Sequence, residues 1–340
     1  MTTTLAKQMV QTTTTLGREM IGTPDNLTIF NGSTLELADV DYFVIYKADS
    51  QTTDDGIKFI ARMELGTNAI TNVIPFSPTK AWVSYFGGGI KLIDTEKECT
   101  VNKIDMPGLD SIATTGENYL FTSSCLTHSA IDKMHIVAEG ETGTMPYVKF
   151  SKSRIACMTM SKAGDTMMVC LEKQHSFLCF PGKSEINVQI YGLRGKRMKE
   201  LRPKVDGTNL RTTYGFPIGM CENTNKDICI SSFNSADHTC AVEVFDKNLE
   251  RRFVYNGEKN QTQKFMCEDI CTDNEGNILM LDNSLKSVHI VNSNGEFIKM
   301  ISTAKYQIEN PKCINVDPSG RLWIGQGPPA QMIILEYDLK

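Results

Sequence analysis

The chain has 340 residues, a formal net charge of −5, and 41% hydrophobic against 22% charged residues. That balance suits a globular chain with a sizeable core, and it gives no global pull toward nucleic acid or an anionic membrane, leaving only local patches to consider. No window approaches the roughly 18 apolar residues of a membrane span, and the first eight residues lack the apolar core of a signal peptide, so a cytoplasmic protein with no membrane partner is expected.

Residues 1 to 22 are rich in threonine, with Leu5, Met9, Leu16 and Met20 at helical spacing and Pro24 beyond them. This weak stripe reads as the end of a coiled coil or a surface helix. Residues 1–50 are therefore set apart as an N-terminal arm, helical or disordered, and as a route to self-association. Within the arm, residues 42–46 read as an extra strand. Residues 57–65 alternate: Ile57, Phe59, Ala61, Met63 and Leu65 share one face, while Lys58, Arg62 and Glu64 take the other. A period of two is that of a half-buried strand.

From there the chain repeats one pattern. It is clearest near the end, where Asp273-Asn274-Glu275-Gly276-Asn277 and Asp317-Pro318-Ser319-Gly320-Arg321 each separate two short apolar runs. Asp and Asn bond their own backbone and Gly accepts positive φ, so these are tight turns between strands. The strand after the first turn begins at Ala81, Tyr119, Thr166, Ile228, Ile278 and Leu322. A unit recurring at roughly 40 to 50 residues is a four-stranded propeller blade, and the longer third unit carries an insertion. Six units over residues 56–340 predict an all-β, six-bladed propeller. The strand at 57–65 belongs to no preceding unit, and the last unit runs out of chain before its fourth strand. The ring therefore closes if 57–65 supplies that strand, which removes an open sheet edge.

Strand direction sorts the connections onto two faces. First-to-second and third-to-fourth turns are short and share the turn face. Second-to-third connections and blade-to-blade crossovers vary in length and share the loop face, where binding is expected. Its candidate partner-binding residues are Lys173, His175, Phe177, Phe180, Phe233, His238 and Lys286. Exposed aromatics beside cations suit a protein or a single-stranded RNA. A second candidate, for phosphate, is the basic stretch Arg194, Lys196, Arg197, Lys199, Arg202 and Lys204. Its other reading is an outer strand with protective edge charges, and it begins in a third-to-fourth turn, away from the loop face.

No dinucleotide, P-loop, nucleophile-elbow or zincin motif occurs. The 11 cysteines form no Cys-x-x-Cys pair and read as buried, reduced thiols. Asp110, Glu222, Asp269, Asn315 and Asp317 lie near inner-strand ends, where a channel metal could sit; capping of turns is the favoured role. No catalytic residue, metal or cofactor is assigned.

Residues 311–324, Pro-Lys-Cys-Ile-Asn-Val-Asp-Pro-Ser-Gly-Arg-Leu-Trp-Ile, follow P-x-x-I-x-V-D-x-x-G-x-L, and residues 286–297 follow the second half R-V-x-V-F-D-x-x-G. The chain thus resembles the NHL-repeat propellers of the tripartite-motif proteins, specifically in its last two units. The resemblance implies the ligand-reading half of such a protein, with no RING or B-box in this chain. It implies a non-enzymatic module that binds a protein partner. An RNA-binding propeller is the alternative, and a metal-dependent hydrolase or lactonase with an ion in the central channel is the third reading.

Overall fold

A computed structural model describes residues 43–47, 56–124, 129–136, 142–151, 153–173, 185–205, 208–209, 215–259 and 263–339. Most of the N-terminal arm lies outside them. So do His175, Phe177 and Phe180.

The chain forms six antiparallel blades of four or five strands. Five are contiguous in sequence, at 70–105, 109–149, 153–201, 216–255 and 267–302. The inner strands of successive blades touch all the way round, and the sixth touches the first, so the ring is closed. Among the described residues the sole helix is one 3-10 turn, Ala304–Tyr306.

The sixth blade shows how closure works. Its first three strands are Pro311–Val316, Leu322–Gln326 and Ala330–Tyr337, and its fourth is Ile57–Gly66 from the other end of the chain. The register runs from Ile57 opposite Tyr337 to Gly66 opposite Ala330. Ile57, Ala61, Met63 and Leu65, the face chosen by alternation, are all buried. Val44–Lys47 then adds a fifth strand outside Ile57–Gly66. The extra strand thus belongs to the last blade rather than to a separate arm, and Lys47 Nζ pairs with Glu98 of the first blade at 2.9 Å.

Blades pack face to face, so the core is a set of layers between them. Leu279, Leu281, Val288 and Ile290 of the fifth blade meet Ile314, Ile324, Ile333 and Leu335 of the sixth in one cluster. The turn chemistry fixes the layers' spacing. Asp317 Oδ1 accepts from the backbone N–H of Ser319 at 2.8 Å and Arg321 at 3.0 Å, and its Oδ2 accepts from Trp323 Nε1 at 3.0 Å. Burial alone would raise that carboxyl, but bonds from Ser319, Trp323 and Arg321 outweigh it and hold it below the usual range. Asp273 closes the equivalent turn of the fifth blade, accepting from Asn277 N at 2.8 Å. Gly276 and Gly320 sit at φ +89° and +87° in these two turns, a conformation that costs any residue with a Cβ.

Candidate functional site: the loop face and channel mouth

One feature recurs in every blade and is absent from the sequence reading. Each inner strand is interrupted near its loop-face end by a one-residue shift in register against the second strand. The extra residues are Thr71, Asp110, Ala156, Ile218, Glu268 and Lys312. A bulge bends the strand and re-aims the extra side chain. Six bulges on six inner strands set those six residues around the mouth of the channel.

The mouth is divided by polarity. Thr71 Oγ1 bonds Ser84 Oγ at 2.9 Å, Asp110 is exposed, and Lys312 is ion-paired with Glu268. On the other side stand Ala156 and Ile218. Ile218 is 39% exposed and Phe216, two residues before it, is 49% exposed. Phe216 lies directly opposite Phe233 on the second strand of the fourth blade, and the Phe233 ring is 6.2 Å from that of His238. Farther round, Phe86 is 75% exposed at the tip of the first blade's second-to-third connection. Phe216 and Ile218 thus form an exposed apolar pair on the loop face, with Phe86 on a separate blade across the ring.

The sequence-chosen residues divide in three. Phe233, His238 and Lys286 are on the loop face as expected. His238 and Lys286 hold their loop tips at φ 52° and 50°, and Lys286 pairs with Glu309 of the next crossover. Lys173 ends the second strand of the third blade, also at that face; His175, Phe177 and Phe180 lie outside the described residues. Of the basic stretch, four members are engaged locally. Arg197 pairs with Glu200 at 3.0 Å, Arg202 stands 4.0 Å from Glu200, Lys199 donates to Lys247 O at 3.2 Å, and Lys204 stands 3.6 Å from Glu250. These contacts run along the blade's outer strand, Arg197–Leu201, and just beyond it. Arg194 and Lys196, in the preceding turn, are exposed and make no ion pair among the described residues.

The loop face rests on a buried polar support between the fourth and fifth blades. Tyr255 Oη and His289 Nδ1 share a hydrogen bond of 2.8 Å, and His289 Nε2 is 3.4 Å from Asp282 Oδ2. Burial pushes His289 below the usual histidine range, against the opposing charges of Asp282 and Glu258. Phe265 packs on the His289 ring at 5.4 Å, which fixes the crossover between the fourth and fifth blades. Beside it lies a cleft of about 190 Å³ lined by Thr239, Cys240, Asn256, Glu258, Gln263, Lys264 and Phe265.

The channel carboxylates do more than cap turns. Asp269 reaches across a blade boundary: Oδ1 accepts from Ile270 N at 2.8 Å and Oδ2 from Ile314 N of the sixth blade at 2.9 Å. Burial pushes its carboxyl up to about 7, opposed by those two N–H bonds. Asn315 repeats the link one blade on, donating to Val73 O at 3.0 Å. Glu222 accepts from Lys162 N at 2.8 Å and pairs with Lys226. Both Asp269 oxygens and one of Glu222 are thus engaged by neighbouring donors, and among the described residues no three His, Cys, Asp or Glu side chains converge as a metal site. Eight of the nine described cysteines are buried, with Cys99 half-buried.

No protein-family model and no curated protein sequence matches the chain. Its fold does match solved propellers. The chain resembles the WD40 propeller domain of Doa1 at TM-score 0.55 and 11% identity, over 83% of this chain and 98% of that one. It resembles XC5397, a gluconolactonase of Xanthomonas campestris, at TM-score 0.57 and 13% identity, over 88% and 96%. It resembles a streptogramin B lyase at TM-score 0.54 and 10% identity, over 87% and 98%. Identities this low establish the propeller architecture, which is shared by interaction domains and enzymes alike.

Proposed function

We propose that this chain is a non-catalytic, cytoplasmic recognition module that binds a protein partner through the loop face of the propeller. The observation that carries the reading is the apolar half of the channel mouth, where Phe216 and Ile218 are exposed next to Phe233 and His238. Binding energy concentrates in a few such anchors surrounded by polar rims. Here the nearby charges Glu268, Lys312, Lys286 and Glu309 already pair with one another, so the face offers apolar contact rather than free cations. The two NHL-like turns of the last blades favour the ligand-reading role that tripartite-motif propellers have.

The test is affinity capture from cell lysate, with and without RNase. A protein partner should survive RNase and be lost at least about tenfold with Phe216→Ala, since an anchor of this kind is worth roughly 2 kcal/mol. Partners that vanish with RNase, or that ignore Phe216→Ala, contradict the reading. A calcium- or zinc-dependent rise in melting temperature, abolished by Asp269→Asn, would instead favour an enzyme of the lactonase kind.

A further inference from the structure

The groove between the second and third blades, on the turn face, holds side chains that the loop-face reading does not use. Tyr119, His135 and Gly143 stand directly opposite one another on three adjacent strands of the second blade. Residues so placed project from the same side of the sheet as one cross-strand row. Tyr119 and His135 occupy the first two places, their rings stacked at 4.8 Å between centroids and 21° between planes. The third place is glycine, and a Cβ there would meet nothing within 4 Å. The row therefore ends in an open slot beside His135, and both rings are exposed.

Cations surround this row. The Lys133 ammonium lies 4.4 Å from the centre of the Tyr119 ring, and exposed Met145 stands opposite Lys133. Lys133 Nζ also donates to Leu193 O at 3.2 Å, while Tyr147 Oη donates to Gly192 O at 2.7 Å. These bonds pin the 192–196 turn of the third blade beside the row. Gly195, at φ +78°, is packed so closely that a Cβ would fall 2.8 Å from Tyr147 O, so the turn is held in place. It presents Arg194 and Lys196, both exposed and without an ion pair among the described residues. Of the acidic groups near this row and turn, Glu117 and Glu200 are held by Lys80 and Arg197, while Glu139 and Glu141, in the connection between the strands of His135 and Gly143, lie outside the described residues.

Stacked exposed rings, a place without a side chain continuing the stack, and three cations without an ion pair among the described residues are the two components a single-strand binding site uses: a π platform for bases and a basic track for phosphates. We propose that this groove binds single-stranded nucleic acid, with one base stacked on His135 in the slot at Gly143 and the backbone running along Lys133, Arg194 and Lys196. The site is separate from the protein-binding face and does not depend on it.

The test uses the full chain and fluorescent ten-nucleotide oligouridine and oligodeoxythymidine, followed by anisotropy at 50 and 200 mM salt. Binding should weaken about tenfold or more with His135→Ala, and similarly with Gly143→Val, which fills the slot. The Arg194→Ala, Lys196→Ala double variant should flatten the salt slope by about 1.4, two phosphates at roughly 0.7 each. Met300→Ala, an exposed change on the outer strand of the fifth blade, should leave binding unchanged. The tighter of the two oligomers names RNA or DNA as the ligand. Failure of both to bind at 50 mM salt overturns the proposal. So does binding that survives both His135→Ala and Gly143→Val, or a duplex or phosphopeptide bound as tightly as the single strand. Melting temperatures within a degree or so of wild type show that these exposed positions report on binding rather than folding.

Discussion

Removing residues 1–65 should destroy the fold, whereas removing 1–40 should not. The strand Ile57–Gly66 pairs along the whole length of Ala330–Tyr337, so its loss opens one edge of a closed ring. It also strips Ile57, Met63 and Leu65, exposed by 1%, 0% and 7%, from two core layers. At about 1.5–3 kcal/mol for each such side chain, the loss is roughly 5–9 kcal/mol, comparable with the whole stability of a typical domain, about 5–15 kcal/mol. The bared strand, with Met332, Ile333, Ile334 and Leu335, is moreover an unprotected apolar edge. Deleting residues 1–50 is the intermediate case. It removes Val44–Lys47, which has no fully buried side chain, and the Lys47–Glu98 pair; the melting temperature should drop a few degrees. Thermal melts with light scattering on the three truncations check the order. Aggregation of the 1–65 deletion with two cooperative, folded siblings is expected. Equal melting of the 1–40 and 1–65 deletions would refute the closure.

Three further outcomes follow from individual groups. Asp269 has its carboxyl raised to about 7 in the folded chain, against an ordinary value of about 3.9. Its stabilising effect is therefore present below the ordinary value and lost as pH rises through about 7; Asp269→Asn should gain on wild type in urea titrations between pH 5 and 8. His289 is shifted the other way, so its effect is present above the usual histidine range and lost as pH falls below it. His289→Gln should accordingly flatten the acid limb of the stability profile. Asp317→Ala leaves Trp323 Nε1 and two turn N–H groups without their acceptor, and should cost about 3 kcal/mol or more in urea unfolding.

The repeat and its closure were legible because each rests on a local rule. Asp273 and Asp317 announce turns by their own hydrogen bonds, and 57–65 announces a strand by strict alternation. The channel mouth was not legible. A bulge adds one residue to one strand and has no compositional mark. Phe216 and Ile218 therefore carried no mark of their own in the sequence, although both stand exposed around the bulge. Asp269 and Asn315 could be placed near inner-strand ends, but their task is to bond the next blade's backbone, a partner some 45 and 242 residues distant in sequence. The basic stretch was visible as charge, yet only pairing in three dimensions separates Arg197, Lys199, Arg202 and Lys204 from Arg194 and Lys196. The Tyr119–His135–Gly143 row depends on register across three strands, which no spacing within one strand reveals.

Hydrogen–deuterium exchange of the full chain, alone and with its captured protein partner, tests the recognition reading most directly. Protection should appear at 215–218 and 233–240, around the apolar half of the channel mouth, and leave 192–196 unchanged. Protection confined to 192–196 and the neighbouring turns of the second blade, with the mouth untouched, would contradict it.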